Sequence, residues 1–229
     1  GTDDLGRDLF TRILYGSRIS LSIGLLAMAL AVTVGTSIGA AAGFYGGWVD
    51  SLLMRTTDVF LAFPRLFVLI LLTTILRQLN LAWLPASSFV PIAFVIGSLS
   101  WMSIARLVRA AYLSIKEREF VEAARSVGAP NARIIFRHIL PNAASPIIVA
   151  ATLGVAASIL TESGLSYLGF GVQLPTPTWG NLLQNAQAQM TYAPWLALFP
   201  GLVIFCAVIS INYVGDGLRD ALDPMRGGK

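Results

Sequence analysis

Residues 122–141 read EAARSVGAPNARIIFRHILP and concentrate charge in a chain that is otherwise largely apolar. Hydrophobic residues make up 55% of the 229 residues and charged residues only 12%, whereas a soluble domain has about 25% charged residues. The mean hydropathy of +0.72 agrees with this bias. The composition therefore indicates a polytopic membrane protein in which 122–141 is a polar connection.

Five segments are apolar and long enough to cross a bilayer core, which takes roughly 20 helical residues. They are 19–44, 59–76, 90–112, 143–162 and 195–214. No period-two strand pattern competes with them, so the predicted fold class is an all-α membrane protein with five transmembrane helices. The chain starts without methionine and its first residues do not resemble a signal peptide, so we expect a further N-terminal span upstream.

Two features inside these spans make specific predictions. Gly35, Gly39 and Gly43 form a stripe of small residues in the first span, which predicts close packing against another helix. Arg65 lies just after Pro64, near the start of the second span. Because a charge is costly in the bilayer, we expect the long Arg65 side chain to extend to the lipid headgroups.

Lysine and arginine are distributed unevenly between the two sides that alternating spans create. Twelve fall on one side and four, which are Arg7, Arg12, Arg18 and Arg77, on the other. The positively charged side of a membrane protein faces the cytoplasm. We therefore predict that 122–141 and the C-terminus are cytoplasmic, and that the uncharged loop 164–192 is external.

The connection between the third and fourth spans is predicted to form two short helices on the cytoplasmic surface. The first, over 118–127, is amphipathic, and Gly128 suits its C-cap because positive φ costs glycine little. The second covers 131–140. Pro130 fits its first turn, and Pro141 is expected to end it.

Two kinds of partner could bind the first of these helices. Phe120, Ala124 and Val127 are predicted to share one face, which could lie on lipid or on a protein. A helix that binds anionic lipid has a mostly basic polar face. Acidic residues break that pattern here and favour a soluble protein partner. They are Glu117, Glu119 and Glu122.

The spacing of several motifs resembles one known family. Glu122-Ala123-Ala124, then Gly128, then Leu140-Pro141 resemble the EAA loop of bacterial ABC importer permeases. His138 replaces the isoleucine of the general pattern, which is similar to the dipeptide, oligopeptide and nickel branch. Further stretches resemble the C-type permease subunit of that branch: GTDDLGRD at 1–8, YGGWVD at 45–50, LGFGV at 168–172, PTPTWGN at 175–181 and GDGLRDALDP at 215–224.

The resemblance implies a single permease domain over 1–229 with a MetI-like core, a cytoplasmic coupling loop at 115–141 and an external loop at 164–192. The coupling loop would dock on an ATP-hydrolysing subunit. Glu122 would orient the contact, Ala123 and Ala124 would allow close approach, and Gly128 would supply a bend. The implied contact residues are Glu122, Ala123, Ala124, Gly128, Arg133, His138, Leu140 and Pro141.

The resemblance also implies the partners and the location. It places the chain in the bacterial cytoplasmic membrane, paired with a related permease in a pseudo-twofold heterodimer and surrounded by lipid. Two nucleotide-binding subunits would hold ATP and Mg²⁺, and an extracytoplasmic protein would deliver the substrate. That substrate would be a short peptide or a nickel complex. The sequence lacks the phosphate-binding pattern GxxxxGK[ST], so we expect no catalysis, no cofactor and no nucleic acid on this chain.

Polar residues inside the spans are candidates for the translocation path. They are Glu162, Trp101, Ser103 and Asn212. Packing within the chain is the alternative role for each. A membrane-embedded hydrolase or a metal site is disfavoured, because His138 is the only histidine and has no second histidine or nearby cysteine as a partner. A channel or scaffold that works without nucleotide-binding partners remains an alternative.

Overall fold

Helices account for nearly all of the chain in the computed structural model, which describes residues 1–3, 5–79 and 88–222. Within these ranges no β-strand forms apart from an isolated bridge between Thr2 and Asp8. In chain order the elements are α1 (Leu9–Tyr45), α2 (Gly47–Ala62), α3 (Arg65–Gln78), α4 (Val90–Ser98), α5 (Trp101–Ile115), α6 (Glu119–Ser126), α7 (Asn131–Arg133), a π-helical turn (Ile134–Ile139), α8 (Leu140–Tyr167), α9 (Trp179–Ala186), a 3₁₀ turn (Gln187–Gln189) and α10 (Trp195–Leu222).

Some residues of the predicted motifs and of the predicted charge distribution lie outside the described ranges. They are Asp4 of the first motif, Asp223 and Pro224 of the last motif, and Arg226 and Lys229 of the basic C-terminus.

Three helices are long and apolar enough to cross a membrane: Leu9–Tyr45, Asn131–Tyr167 and Trp195–Leu222. The total rises to five if each of two bent helix pairs counts as one span. The all-α fold is therefore confirmed, and the five predicted spans agree with the structure when each bent pair counts as one span. The second and third spans are each bent, a feature that the predicted bounds do not include.

The second span bends by 87° between α2 and α3. Pro64 lies at the bend, and Phe63 before it is extended, with φ −81° and ψ 138°. A residue that precedes proline is disfavoured in the helical region, so α2 stops there and α3 starts in a new direction.

The third span bends by 44° between α4 and α5. Leu99 leaves the α-helical region at this point, with φ −114° and ψ 3°, and the Ser100 hydroxyl donates to the carbonyl of Ile96 at 2.7 Å. Serine side chains that compete for helical carbonyls commonly bend helices in this way.

The predicted glycine stripe packs α1 against α5. A Cβ atom added to Gly35 would lie 2.6 Å from the carbonyl oxygen of Trp101, and one added to Gly43 would lie 2.6 Å from Cβ of Tyr112. Because no side chain fits at these positions, the two backbones approach closely, and the predicted close packing is confirmed.

The two ends of the helical bundle separate the charged residues much as the spans predict. We call the end that carries α9 the α9 end, and the end that carries α6 the α6 end. Gly16, near the start of α1, adjoins Thr178, and Arg77 donates to the carbonyls of Gly169 at 3.2 Å and of Gly171. The N-terminal part of α1 and Arg77 therefore lie at the α9 end, as predicted for the less basic side.

Candidate functional site

Helix α6 is held on the bundle by two inward-facing residues. Val121 is 0% exposed and Ala124 is 8% exposed, and both pack in a core that includes Tyr112, Ile134 and Ile139. This pairing follows from helix geometry, because residues three apart share a face. The core fixes the orientation of α6 relative to α1 and α5.

The prediction that Phe120, Ala124 and Val127 share one face of this helix is wrong. Val127 is 84% exposed and Phe120 is also exposed, although both are predicted to share the face of Ala124. The helix ends at Ser126, and Val127 is its C-cap with φ −86° and ψ 10°. Once the backbone leaves the helix, the three- and four-residue spacing no longer decides where Val127 lies.

The predicted bend at Gly128 is confirmed. Its φ is 77°, and its N–H donates to the carbonyl of Arg125 at 2.9 Å. The N–H of Ala129 donates to the carbonyl of Ala124 at 3.1 Å. These two bonds form a Schellman motif, which satisfies the carbonyls at the end of α6 and reverses the chain.

The second helix does not end at Pro141, contrary to the prediction. Residues Asn131–Tyr167 form one continuous helix of 37 residues, in which α7 and the π-helical turn lead directly into α8. In an α-helix the ring of Pro141 would clash with the carbonyl four residues earlier. The wider π-helical turn precedes Pro141, and the Leu140 N–H donates to the carbonyl of Ile135, so the helix continues through this position.

The predicted contact residues separate into an outward and an inward group. The outward group consists of Glu122, Ala123, Gly128, Arg133 and Pro141, whereas His138 and Leu140 are half-buried. Ala124 faces the interior, so its small side chain serves packing within this chain rather than close approach of a partner. The contact role of the other residues stays a prediction.

Two exposed apolar residues of the same cytoplasmic connection are absent from the predicted contact set. Val127 lies at the bend, and Phe136 of the π-helical turn is 67% exposed. Both follow the exposed Glu122 and Ala123 in sequence. Large apolar residues within a polar connection are the signal that could have found them.

Ion pairs join α2 to α5 at the α6 end. Arg109 donates to both carboxylate oxygens of Asp50, at 2.6 Å for one of them, and Arg106 pairs with Asp58. Gly46 and Gly47 have φ of 64° and 55°, which lets the chain turn from α1 into α2. The YGGWVD motif therefore forms a turn, and its Asp50 forms an ion pair with α5. These contacts fix the end of α5, after which the connection 115–141 begins.

Buried polar groups join three helices at the α9 end. Glu162 is fully buried and accepts hydrogen bonds from Ser20 at 3.1 Å and Ser166 at 2.7 Å. Ser20 also accepts the backbone N–H of Trp179 at 3.2 Å, and Thr178 and Asn181 form a capping box at the start of α9. These bonds connect α1, α8 and α9, so Glu162 lies inside the packed protein. Its role in the translocation path stays a prediction.

The remaining path candidates lie elsewhere. Trp101 is half-buried and packs edge-to-face on Phe60 with 6.3 Å between ring centroids, and Asn212 is half-buried in α10. Ser103 is exposed and lines a cavity of about 360 Å³ between α3, α5 and α8. The structure therefore does not bring Glu162, Ser103 and Asn212 together in one site.

The expectation that Arg65 extends to the headgroups is wrong. Its guanidinium donates to the Ser100 hydroxyl at 2.8 Å and lines the same cavity as Ser103. The opposite wall comes from α8, around Leu153 and Gly154, at the middle of the predicted span 143–162. Because the chain bends at Pro64, α3 starts at this central level rather than at the membrane surface.

No group of three or more His, Cys, Asp and Glu side chains suited to a metal ion occurs in the described part of the chain. The backbone carbonyl of His138 accepts a hydrogen bond from the Asn142 amide at 2.7 Å.

Comparison with known proteins gives one consistent family. Residues 35–227 match the model of the binding-protein-dependent transport system inner membrane component. Among curated relatives, the dipeptide transport system permease protein DppC of Alkalihalophilus pseudofirmus is 46% identical over 98% of this chain and 71% of its own length. The oligopeptide transport system permease protein OppC of Haemophilus influenzae is 44% identical over 98% of this chain and 69% of its own length. The glutathione transport system permease protein GsiD of Pectobacterium atrosepticum is 42% identical, with 98% and 71% covered.

Solved structures with a similar fold come from other ABC transporters. A structure of the methionine transporter MetNI in inward-facing conformations aligns with a TM-score of 0.71, covering 93% of this chain and 97% of that one at 17% identity. An amino acid ABC transporter aligns with a TM-score of 0.65, covering 93% and 95% at 19% identity. At these identities the likeness establishes the fold alone, and it agrees with the predicted MetI-like core.

Proposed function

The chain belongs to the family of binding-protein-dependent transport system inner membrane components, and on that premise we propose that it forms half of a peptide translocation path that is driven by ATP hydrolysis on separate subunits. It is a permease subunit of an ABC importer and a multi-pass protein of the inner membrane. Permeases of this family are not themselves catalytic, so this chain would transmit force and hydrolyse nothing.

The observation that carries the proposal is the continuity of the helix Asn131–Tyr167. Helix α6 packs on the start of this helix through Val121 and Ala124, and the Tyr112 hydroxyl of α5 donates to the Ile135 carbonyl of the same region at 3.3 Å. A displacement of α6 would therefore move α8 as a rigid rod, because a continuous helix transmits axial and tilting motion with little internal change.

The outward face of α6 is the surface on which an ATP-hydrolysing subunit would act. Glu122 and Ala123 are exposed on it, and Val127 adds an apolar contact at the bend. A carboxylate beside a small residue allows a close, oriented approach of a protein surface. We propose that closure of two ATPase subunits pulls this face and tilts α8.

The substrate proposal rests on the relatives. The three curated relatives are permeases for dipeptides, oligopeptides and glutathione, all of which are peptides or peptide-like. They favour a short peptide over a nickel complex for this chain.

The arrangement around the chain is proposed from the same premise. The α6 end and the C-terminus face the cytoplasm, in agreement with the excess of Lys and Arg on that side. A related permease pairs with this chain, two ATPase subunits bind ATP and Mg²⁺, and an external protein delivers the peptide to the loop 164–192.

The coupling proposal is tested with the assembled importer in lipid vesicles. Glu122→Lys reverses the exposed charge, and Gly128→Pro removes the positive φ of the bend, because proline fixes φ near −65°. We expect both variants to insert in the membrane and to lose ATP hydrolysis that the loaded binding protein stimulates. Gly128→Asn, which tolerates positive φ, and Asp216→Lys on the exposed end of α10 serve as controls. Normal stimulation in the first two variants would contradict the proposal.

A further inference from the structure

Arg65 is a cation at the central level of the bundle without a carboxylate partner. In the described part of the chain, Arg7, Arg12, Arg106 and Arg109 form salt bridges with aspartates, whereas Arg65 forms none. An arginine inside a membrane is costly unless another group compensates its charge, and such residues mark pathways for substrates and ions. The position therefore calls for an anion, and among the described residues of this chain no carboxylate forms a salt bridge with Arg65.

The neighbouring groups hold the guanidinium in place. The Ser100 hydroxyl accepts a hydrogen bond from Arg65 at 2.8 Å and donates to the Ile96 carbonyl at 2.7 Å. This relay ties Arg65 to the bend between α4 and α5. Since a guanidinium has five N–H donors, one bond to Ser100 leaves donors for a further acceptor.

The cavity beside Arg65 is suited to a small polar ligand. Its volume is about 360 Å³, within the lower range of ligand pockets. The polar side chains in the lining are Arg65, Ser100, Ser103 and Ser158. On the opposite wall, Gly154 and Ala157 of α8 have small side chains that leave space in the cavity. Serine hydroxyls can donate hydrogen bonds to a peptide backbone and accept hydrogen bonds from it, whereas a guanidinium can bind a carboxylate through two parallel hydrogen bonds.

We propose that Arg65 binds the C-terminal carboxylate of a short peptide as it crosses the membrane, with Ser100 and Ser103 contacting the adjacent peptide group. This inference rests on the proposed function, because it assumes a peptide as the substrate. Dipeptides, oligopeptides and glutathione all carry a free carboxylate, so one cationic site serves them independently of their side chains. The start of α3 at Arg65 adds the partial positive charge of a helix N-terminus to the same place.

Changes at the proposed Arg65 site and changes on the outward face of α6 should have different effects on different substrates. A change on the α6 surface would affect transport of every substrate equally. A change at Arg65 would affect peptides according to their C-terminal charge. This difference provides the test.

The experiment uses the complete importer in lipid vesicles with a saturating excess of peptide-loaded binding protein, so that loading does not limit uptake. Uptake of a dipeptide with a free C-terminus is compared with uptake of the same dipeptide bearing a C-terminal amide. The variants are Arg65→Gln, Arg65→Lys and, as the matched control, Arg55→Gln, which removes an exposed arginine from α2 of the same bent pair. ATP hydrolysis is measured in parallel.

We expect Arg65→Gln to lower uptake of the free-carboxylate peptide by about tenfold, as the loss of a charged hydrogen bond predicts. Uptake of the amide should change less than twofold, Arg65→Lys should restore part of the loss, and Arg55→Gln should behave like the original protein. An equal loss for both peptides would overturn the proposal and indicate a permanent ion pair with the partner permease or a packing role. No loss for either peptide would also overturn it. If the unaltered importer took up neither peptide, the proposed peptide substrate itself would be wrong.

Discussion

The two ends of helix α8 are stabilised in opposite ways. At the α9 end, Glu162 is buried and hydrogen-bonded to Ser20 and Ser166, so its polar groups have partners within the chain. At the α6 end, the loop is held by apolar packing beneath α6, while Glu122 and Ala123 are exposed. The difference shows that one end of α8 is fixed within its own chain, and it agrees with the proposal that a partner acts on the other end.

This comparison has a mechanical consequence. A rigid rod that is held at one end and pulled at the other tilts about the held end. Changes at the α9 end should therefore reduce stability first, and changes on the outward face of α6 should reduce coupling without reducing stability. Substitutions at either end test that division.

The largest expected effect comes from Gly180→Leu at the α9 end. A Cβ atom at Gly180 would lie 2.6 Å from Cα of Ser163, a backbone atom that cannot move aside easily. We expect α9 to separate from α8 and the variant to lose more than about 3 kcal/mol of stability. Thermal unfolding of the purified complex measures the loss. Gly164→Leu is the control, because a Cβ atom there meets nothing within 4 Å, and equal losses in both variants would contradict the proposed packing.

The next effect is expected for Glu162→Ala. The substitution leaves the buried hydroxyls of Ser20 and Ser166 without their shared acceptor, which costs about 2 to 3 kcal/mol. The unfolding temperature of the complex should fall clearly, whereas Glu119→Ala on the exposed side of α6 should leave it nearly unchanged. An unchanged unfolding temperature in Glu162→Ala would mean that these hydrogen bonds do not stabilise the α9 end.

The adjacent alanines of the α6 end separate packing from coupling. Ala124→Leu overfills the core below α6 and should cost about 1 to 3 kcal/mol. Ala123→Leu lies on the exposed face, so stability should change by less than about 0.5 kcal/mol while stimulated ATP hydrolysis falls. Measuring unfolding and ATP hydrolysis on the same preparations distinguishes the two. The reverse pattern would mean that α6 is oriented differently in the assembled importer.

The smallest effect concerns the segment before α1. Burial of Asp3 raises its pKa, but the backbone N–H of Arg7 and the side chains of Arg12 and Arg7 outweigh this and lower it to about 2. Because the folded-state pKa lies below the unfolded value, the ionised carboxylate stabilises the fold above about pH 4 and this contribution is lost as the pH falls toward 2.

We therefore expect Asp3→Asn to cost about 1 kcal/mol at pH 7, with the difference from the original protein shrinking below pH 4. Asp216→Asn, on the exposed end of α10, is the control. Unfolding measured at several pH values tests the prediction, and a difference that stays constant down to pH 2 would contradict it.

Much of the fold follows from local chemistry and is therefore predictable from the sequence. The apolar segments, the glycine stripe and the positive φ of Gly128 each follow from the residues themselves, and the structure agrees with all three. The motif spacing around Glu122 likewise indicates the family, and the comparison with known proteins agrees with it.

Features that depend on distant contacts are not predictable in this way. The central position of Arg65 is one of them, because it depends on the contact with Ser100 of the third span, whereas the bend at Pro64 is a local effect of proline. Because of the π-helical turn before Pro141, the helix continues through this residue instead of ending there. The hydrogen bond between Ser20 and Glu162 joins residues 142 positions apart, a distance over which no periodicity extends.

The most direct test of the account is a cross-link from the outward face of α6. In a Cys206→Ser background, which removes the only cysteine, Glu122→Cys is labelled with a photoreactive maleimide in the assembled importer. We predict a covalent adduct with the ATPase subunit, together with labelling by reagents supplied only from the cytoplasmic side. Adducts with lipid alone, or labelling from the external side, would contradict the central claim that this face transmits the force of ATP hydrolysis to α8.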